Sequence, residues 1–127
     1  MQKFVKNIQG FTLMELLVVI SIISVLASVA VVSMGEARKT SRDKVRKIDV
    51  EQIQLGMRLY LEQNGSYPGG TEVVGDGTGV VDTAIVQYLG SAIADPLNRD
   101  TYVYQYDGSG PEVCAALEEG SSYCVDL

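Results

Sequence analysis

Few side chains in this sequence have the type and spacing to do chemistry. Glu15 is the one charged residue inside an otherwise apolar run, GFTLMELLVVISIISVLASVAVVSMG, residues 10–35. A charge at mid-bilayer costs a helix about 2.5–3.5 kcal/mol on insertion scales. Near one end that cost falls, and the carboxylate either snorkels to the interface or meets a positive partner. Cys114 and Cys124 are spaced to close an 11-residue ring. In an exported chain such a disulfide stabilises by roughly 2–4 kcal/mol, and otherwise the pair is two buried thiols. They lack the further ligands of a structural zinc site. Asp95, Asn98 and Asp100 offer oxygens at close spacing, but not in an EF-hand pattern. No cofactor and no metal site is therefore expected, with calcium the one candidate. Histidine is absent, which excludes a histidine-dependent triad and the HExxH zinc motif. No catalytic constellation is recognisable, and the chain is read as not an enzyme.

The elements that position these residues begin with the apolar run. Leu16 to Gly35 is twenty uncharged residues, and at 1.5 Å per residue about twenty span the roughly 30 Å hydrocarbon core of a bilayer. Lys3 and Lys6 precede the run with no acid among them, which places that end in the cytoplasm. A secretory signal cleaved near Ser28-Val29-Ala30 is the rival reading, but Glu15 interrupts its apolar region and that region is too long. From Glu36 to Asn64 the pattern is that of an amphipathic helix. Lys44, Lys47, Glu51, Gln54, Arg58 and Glu62 fall on one arc, and Val45, Ile48, Ile53, Leu55, Leu59 and Tyr60 lie on the broad apolar remainder. No proline interrupts residues 11–64, and Asn64-Gly65 with Pro68 stops the helix.

After Pro68, GGTEVVGDGTGVV reads as a flexible loop or small hairpin, and no lysine follows it as a phosphate loop requires. Asp82 is expected to cap a short helix through Ala84, Ile85, Tyr88 and Leu89, ended by Gly90. Residues 101–106, 112–117 and 121–125 read as three antiparallel strands, the last two tied by any disulfide. Tyr102, Tyr104 and Tyr106 share one strand face, filling it between core and solvent or, less simply, forming a stacking surface for sugars. Three strands persist only if packed on a helix. The net charge of -6 is uneven: Glu36–Arg58 holds seven bases against four acids, and residues 59–127 hold eleven acids against Arg99 alone. That division is a solvated surface, or an attraction between the stem and head of neighbouring copies. It argues against nucleic-acid binding by the head.

Gly10-Phe11-Thr12-Leu13-Met14-Glu15, followed by Leu16-Leu17-Val18-Val19-Ile20, resembles the class III signal of type IV pilins and type II secretion pseudopilins. Gly65-Ser66-Tyr67-Pro68 is similar to the end of the long helix in major pseudopilins and short pilins. The resemblance implies an α+β, pilin-like ladle, with one long N-terminal α-helix packed on an antiparallel sheet of about three strands. It also implies three segments: a cleaved leader (1–10), a transmembrane and assembly helix (11–35) and a periplasmic or extracellular head (36–127). A prepilin peptidase would cut between Gly10 and Phe11, Phe11 would be N-methylated, and Glu15 would pair with the amine of an adjacent subunit. Ser24 and Val32 stand where many relatives have glycine and proline, leaving Gly35 as the hinge candidate.

The implied function is a structural subunit of a helical filament, held in the inner membrane and then assembled into a surface fibre. Its partners would be copies of itself, the peptidase and methylase, and an inner-membrane assembly platform. A periplasmic pseudopilus of a type II secretion system is one alternative. A membrane-tethered binding module that never polymerises is another.

Overall fold

A computed structural model describes residues 10–99 and 101–127. The leader lysines Lys3 and Lys6, and Asp100, lie outside the described residues. Helix α1 runs Leu13–Asn64, followed by β1 (Thr71–Val74), α2 (Val80–Leu89), β2 (Tyr104–Asp107), β3 (Glu112–Ala116) and β4 (Ser122–Asp126). The chain divides into two units, one ending at Ala37 and the other spanning Arg38–Leu127.

In the first unit the helix is continuous through Ser24, Val32 and Gly35. Its apolar side chains from Leu13 to Met34 are exposed. Its serines do not need water. Ser21 Oγ donates to the carbonyl of Val18 and Ser24 Oγ to that of Ile20, both at 2.7 Å. Ser28 Oγ donates to Val25 at 2.7 Å and Ser33 Oγ to Val29 at 3.2 Å. Each hydroxyl is thus satisfied by its own helix, as an apolar surrounding demands.

In the second unit the four strands form an antiparallel sheet in the order β1-β2-β3-β4. Three strands were expected; the fourth is β1, which lies inside the glycine-rich stretch. Its Thr71–Val74 pairs with Asp107–Tyr104 of β2. Flanking glycines hide a strand of only four residues, because period-2 alternation needs more length to register. Strand β2 begins at Tyr104, later than expected, and Tyr102 instead forms an isolated bridge with Arg99.

The core joins Val50, Ile53 and Met57 of α1 to Val81 and Ile85 of α2 and to Val74, Tyr104, Tyr106, Val113 and Ala115 of the sheet. Tyr104 and Tyr106 are fully buried. The Tyr104 hydroxyl donates to Asp49 Oδ2 and that of Tyr106 to the Pro68 carbonyl, both at 2.6 Å. The tyrosine face is therefore core. The expected apolar side of α1 needs correction: Val45, Ile48 and Leu55 are 41%, 53% and 53% exposed. The buried side of the helix carries Asp43 and Arg46 alongside Val50, Ile53 and Met57, with Gly56 turned toward α2. Hydrophobic periodicity cannot recognise a buried arginine as part of a core face.

Helix α2 is not capped by Asp82. Gly79 is its N-cap residue, and Glu72 Oε2 of β1 accepts the Val81 N–H at 3.0 Å. Asp82 reaches back, accepting the N–H groups of Gly75 and Gly77 at 2.8 Å each. Gly90 ends α2 as expected, at φ 79° in the left-handed region that glycine enters without strain. Where α2 meets α1, a Cβ added to Gly56 would sit 3.5 Å from Leu89 Cδ1 and 3.7 Å from Ile85 Cγ1. That is ordinary contact, so Gly56→Ala is expected to stabilise the unit by up to about 1 kcal/mol through helix propensity. Gly56→Leu overpacks the site and is expected to cost about 1–3 kcal/mol. Thermal melts of the two variants check both signs.

Candidate assembly site

The start of α1 is built around its only acid before Glu36. Thr12 precedes the helix as N-cap, and Glu15 lies three residues on. The Thr12 N–H donates to Glu15 Oε2 at 2.9 Å, and the Thr12 hydroxyl donates to the same oxygen at 2.8 Å. In return the Glu15 N–H donates to Thr12 Oγ1 at 3.2 Å. This is a capping box, in which two otherwise orphaned backbone donors are satisfied reciprocally. The carboxylate also lies at the positive end of the helix dipole. Both bonds from Thr12 fall on Oε2; among the described residues no hydrogen bond reaches Oε1.

Thr12 was not among the expected site residues. Its signal is legible as T-x-x-E immediately before an apolar run. Gly10 and Phe11, the expected cleavage pair, stand before the helix and are exposed, Phe11 to 86%. Gly10, Phe11, Thr12 and Glu15 are thus brought together at one helix terminus.

The other expected site residues lie in the second unit. Cys114 and Cys124 form a disulfide between directly opposed residues of β3 and β4. Cys124 is exposed, while Val113 and Ala115 on the opposite face of β3 are buried. The bond therefore holds the edge strand rather than filling the core. Replacing both cysteines with serine is expected to lower stability by about 2–4 kcal/mol, read by denaturant titration against the unreduced parent. Glu112, Cys114 and Cys124 are the one close group of metal-type side chains among the described residues. Both sulfurs are consumed by the disulfide. Asp95 Oδ1 accepts the N–H groups of Leu97 and Asn98, at 2.7 and 3.2 Å, and both Asp95 oxygens accept from Arg46. Its oxygens are engaged in a turn and an ion pair.

That ion pair belongs to a buried cluster which periodicity does not reveal. Arg46 is fully buried. Its Nε donates to Asp95 Oδ2 at 2.6 Å, and its Nη1 donates to Asp43 Oδ1 at 2.7 Å and Glu118 Oε1 at 3.1 Å. Arg42 holds Glu118 from the other side through Nε and Nη2, the latter at 2.7 Å. The Tyr102 ring lies 4.6 Å from the Arg46 guanidinium, a cation–π contact. One arginine thus pins to α1 both the loop after α2 and the β3–β4 turn. Hydrogen bonds from Arg42 and then Arg46 hold the Glu118 carboxyl down to about 2. Burial raises Asp95, but its bonds from Arg46 and two backbone amides outweigh burial and carry it below the usual range. Burial pushes the Asp49 carboxyl up, opposed by the bond from Tyr104.

The N-terminal segment has a recognisable class. The model of the prokaryotic N-terminal methylation motif matches residues 5–31. The chain is 39% identical over 62 residues to the type IV wide pilus major component PilA4 of Thermus thermophilus, covering 49% of this chain and 47% of that protein. It is 39% identical over 61 residues to type II secretion system core protein G of Pectobacterium carotovorum, covering 47% of this chain and 38% of the relative. Core protein G of Klebsiella pneumoniae is 41% identical over 61 residues, covering 47% and 43%. The matched region thus spans less than half the length of these relatives. No solved structure matches the chain.

Proposed function

We propose that this chain is a structural subunit of a helical filament of the type IV pilus kind, stored in a membrane through α1 and polymerised through the same helix. The observation that carries the reading is the capping box at the head of an exposed apolar helix, directly behind Gly10-Phe11 and within the matched methylation motif. A peptidase cuts between Gly10 and Phe11 and leaves a new amine at Phe11, which is methylated. Glu15 Oε2 stays engaged by Thr12, and Oε1 receives the amine of a neighbouring copy. A charge-assisted bond of that kind in apolar surroundings is stronger than its counterpart in water.

The role is structural rather than catalytic. Before assembly the chain is a single-pass membrane protein with its head outside the cytoplasm, and an inner-membrane platform then draws it into the fibre. The similarity to core protein G favours a second reading, a periplasmic pseudopilus in place of a surface fibre.

The test is mass spectrometry of the membrane-bound protein together with electron microscopy of sheared fibres labelled by an antibody to the head. The expected result is a chain beginning at methylated Phe11 and fibres decorated along their length. A chain retaining Gly10, or one cut near Ala30, overturns the proposal. Labelled material confined to the periplasm selects the pseudopilus.

A further inference from the structure

Two exposed features of the Arg38–Leu127 unit are left over by its fold. The first is the stripe of Val45, Ile48 and Leu55, which fills an arc of about 80° on α1 at 100° per residue. It lies away from the buried Val50, Ile53 and Met57 of the same helix. Exposed Gln52 lies within the arc, and along its Leu55 edge run the exposed Lys44, Glu51 and Arg58, with exposed Lys47 just beyond them. The second is a cleft of about 530 Å³ between the Gly75–Gly77 loop and α2, lined by Asp76, Asp82, Thr83, Val86 and Gln87, with no basic residue. Its volume is that of a specific binding site. Both of its carboxylates are held in place by the loop, Asp82 on Gly75 and Gly77 and Asp76 on Thr78.

We propose that the stripe of one copy seats in the cleft of the next, with Lys44 against Asp76. This rests on the filament reading and deepens it by assigning a contact between heads. Charge selects the occupant. Stripe against stripe would oppose two edges that each carry Lys44, Lys47 and Arg58 against Glu51 alone, and cleft against cleft would oppose Asp76 to itself, whereas stripe against cleft pairs surfaces of opposite net sign. The basic residues lie on α1 and the acids gather beyond it, eleven against one base in residues 59–127. Because the two patches are different surfaces of one unit, the contact is head-to-tail, the kind from which an open helical filament is built when its rotation does not close a ring.

The test uses the full chain, co-expressing Ile48→Cys and Val86→Cys and treating the cells with a short bismaleimide, which leaves the Cys114–Cys124 disulfide untouched. Both positions are exposed, so the substitutions spare the core. The expected product is a 48–86 adduct, and the double variant gives a ladder of multimers. Asp76→Lys is expected to lower adduct yield about tenfold through like-charge opposition, and Lys44→Asp in the same chain to restore it. A dominant 48–48 adduct overturns the proposal. So do fibres that form normally without a 48–86 adduct, an outcome that leaves the filament reading standing. Absence of fibres from the parent chain together with absence of adduct overturns both.

Discussion

Arg46→Ala is expected to cost the Arg38–Leu127 unit about 3–5 kcal/mol, because it strands carboxylates that a buried guanidinium now holds. Asp43 and Asp95 are each nearly buried, at 4% and 5% exposure, and neither can turn to water without opening the loop that carries its partners. Among the described residues one of Asp43's oxygens, Oδ2, already lacks a partner, so once Oδ1 loses its bond from Arg46 a buried carboxylate keeps only the Glu118 N–H, at 3.0 Å. For a unit of this size a loss of about 3–5 kcal/mol lowers the melting temperature by at least about 12 °C. Arg46→Met keeps most of the volume and leaves the same charges unpaired, so it is expected to fail nearly as badly. Arg46→Met with Asp43→Asn and Asp95→Asn is expected to recover part of the loss. The pH dependence has a definite sign. Asp95 and Glu118 are depressed when folded, so their contribution is complete above the unfolded carboxyl value near 4 and is lost as pH falls toward about 2. Asp49 is raised and works in the opposite direction, gaining as it protonates. Thermal melts between about pH 2 and 6 check the balance. A flat profile that Arg46→Ala does not change would refute the clamp.

Glu15→Ala is expected to abolish fibres while leaving the chain processed and inserted. The substitution removes both the acceptor that Thr12 uses and the oxygen offered to a neighbour's amine. Loss of the cap costs only about 1 kcal/mol at a helix end, too little to empty a membrane of a span this apolar. On the proposed reading the loss of the charge pair falls on assembly alone. Thr12→Ala separates the two effects: it removes the hydroxyl from the capping box, keeps the carboxylate, and is expected to reduce fibres without eliminating them. Glu15→Gln preserves a hydrogen-bond acceptor without the charge and is expected to behave like Glu15→Ala. Counting fibres per cell and assaying membrane fractions of the three variants distinguishes these roles. Normal fibres from Glu15→Ala would remove the residue from the mechanism.

The N-terminal segment was largely legible because its information is local: a glycine, a carboxylate five residues later and a run with no other charge. Even there the Thr12 partner went unread, although T-x-x-E spells it out. The polar arc of α1 was also legible, since Lys44, Lys47, Glu51, Arg58 and Glu62 are all exposed. The opposite side was not. Whether Ile48 or Arg46 faces the sheet depends on Asp95 and Glu118, which lie 49 and 72 residues further along the chain. No window of periodicity contains both ends of such a bond. Strand β1 was missed for another reason, its residues being few and enclosed by glycine. The alternation of Tyr104 and Tyr106, by contrast, read correctly as a strand face, because its period lies wholly within the strand.

The four serines of the first unit bear on reversibility. Because Ser21, Ser24, Ser28 and Ser33 each bond a carbonyl of their own helix, the stretch from Leu16 to Gly35 asks nothing polar of whatever surrounds it, and Glu15 alone does. For that stretch lipid tails and the flanks of identical helices are nearly equivalent solvents, so the Glu15 pair is the one polar contact to be made or broken when the helix moves between them. In the proposed fibre, reversibility then turns on a single charge pair per subunit rather than on the apolar length of the helix.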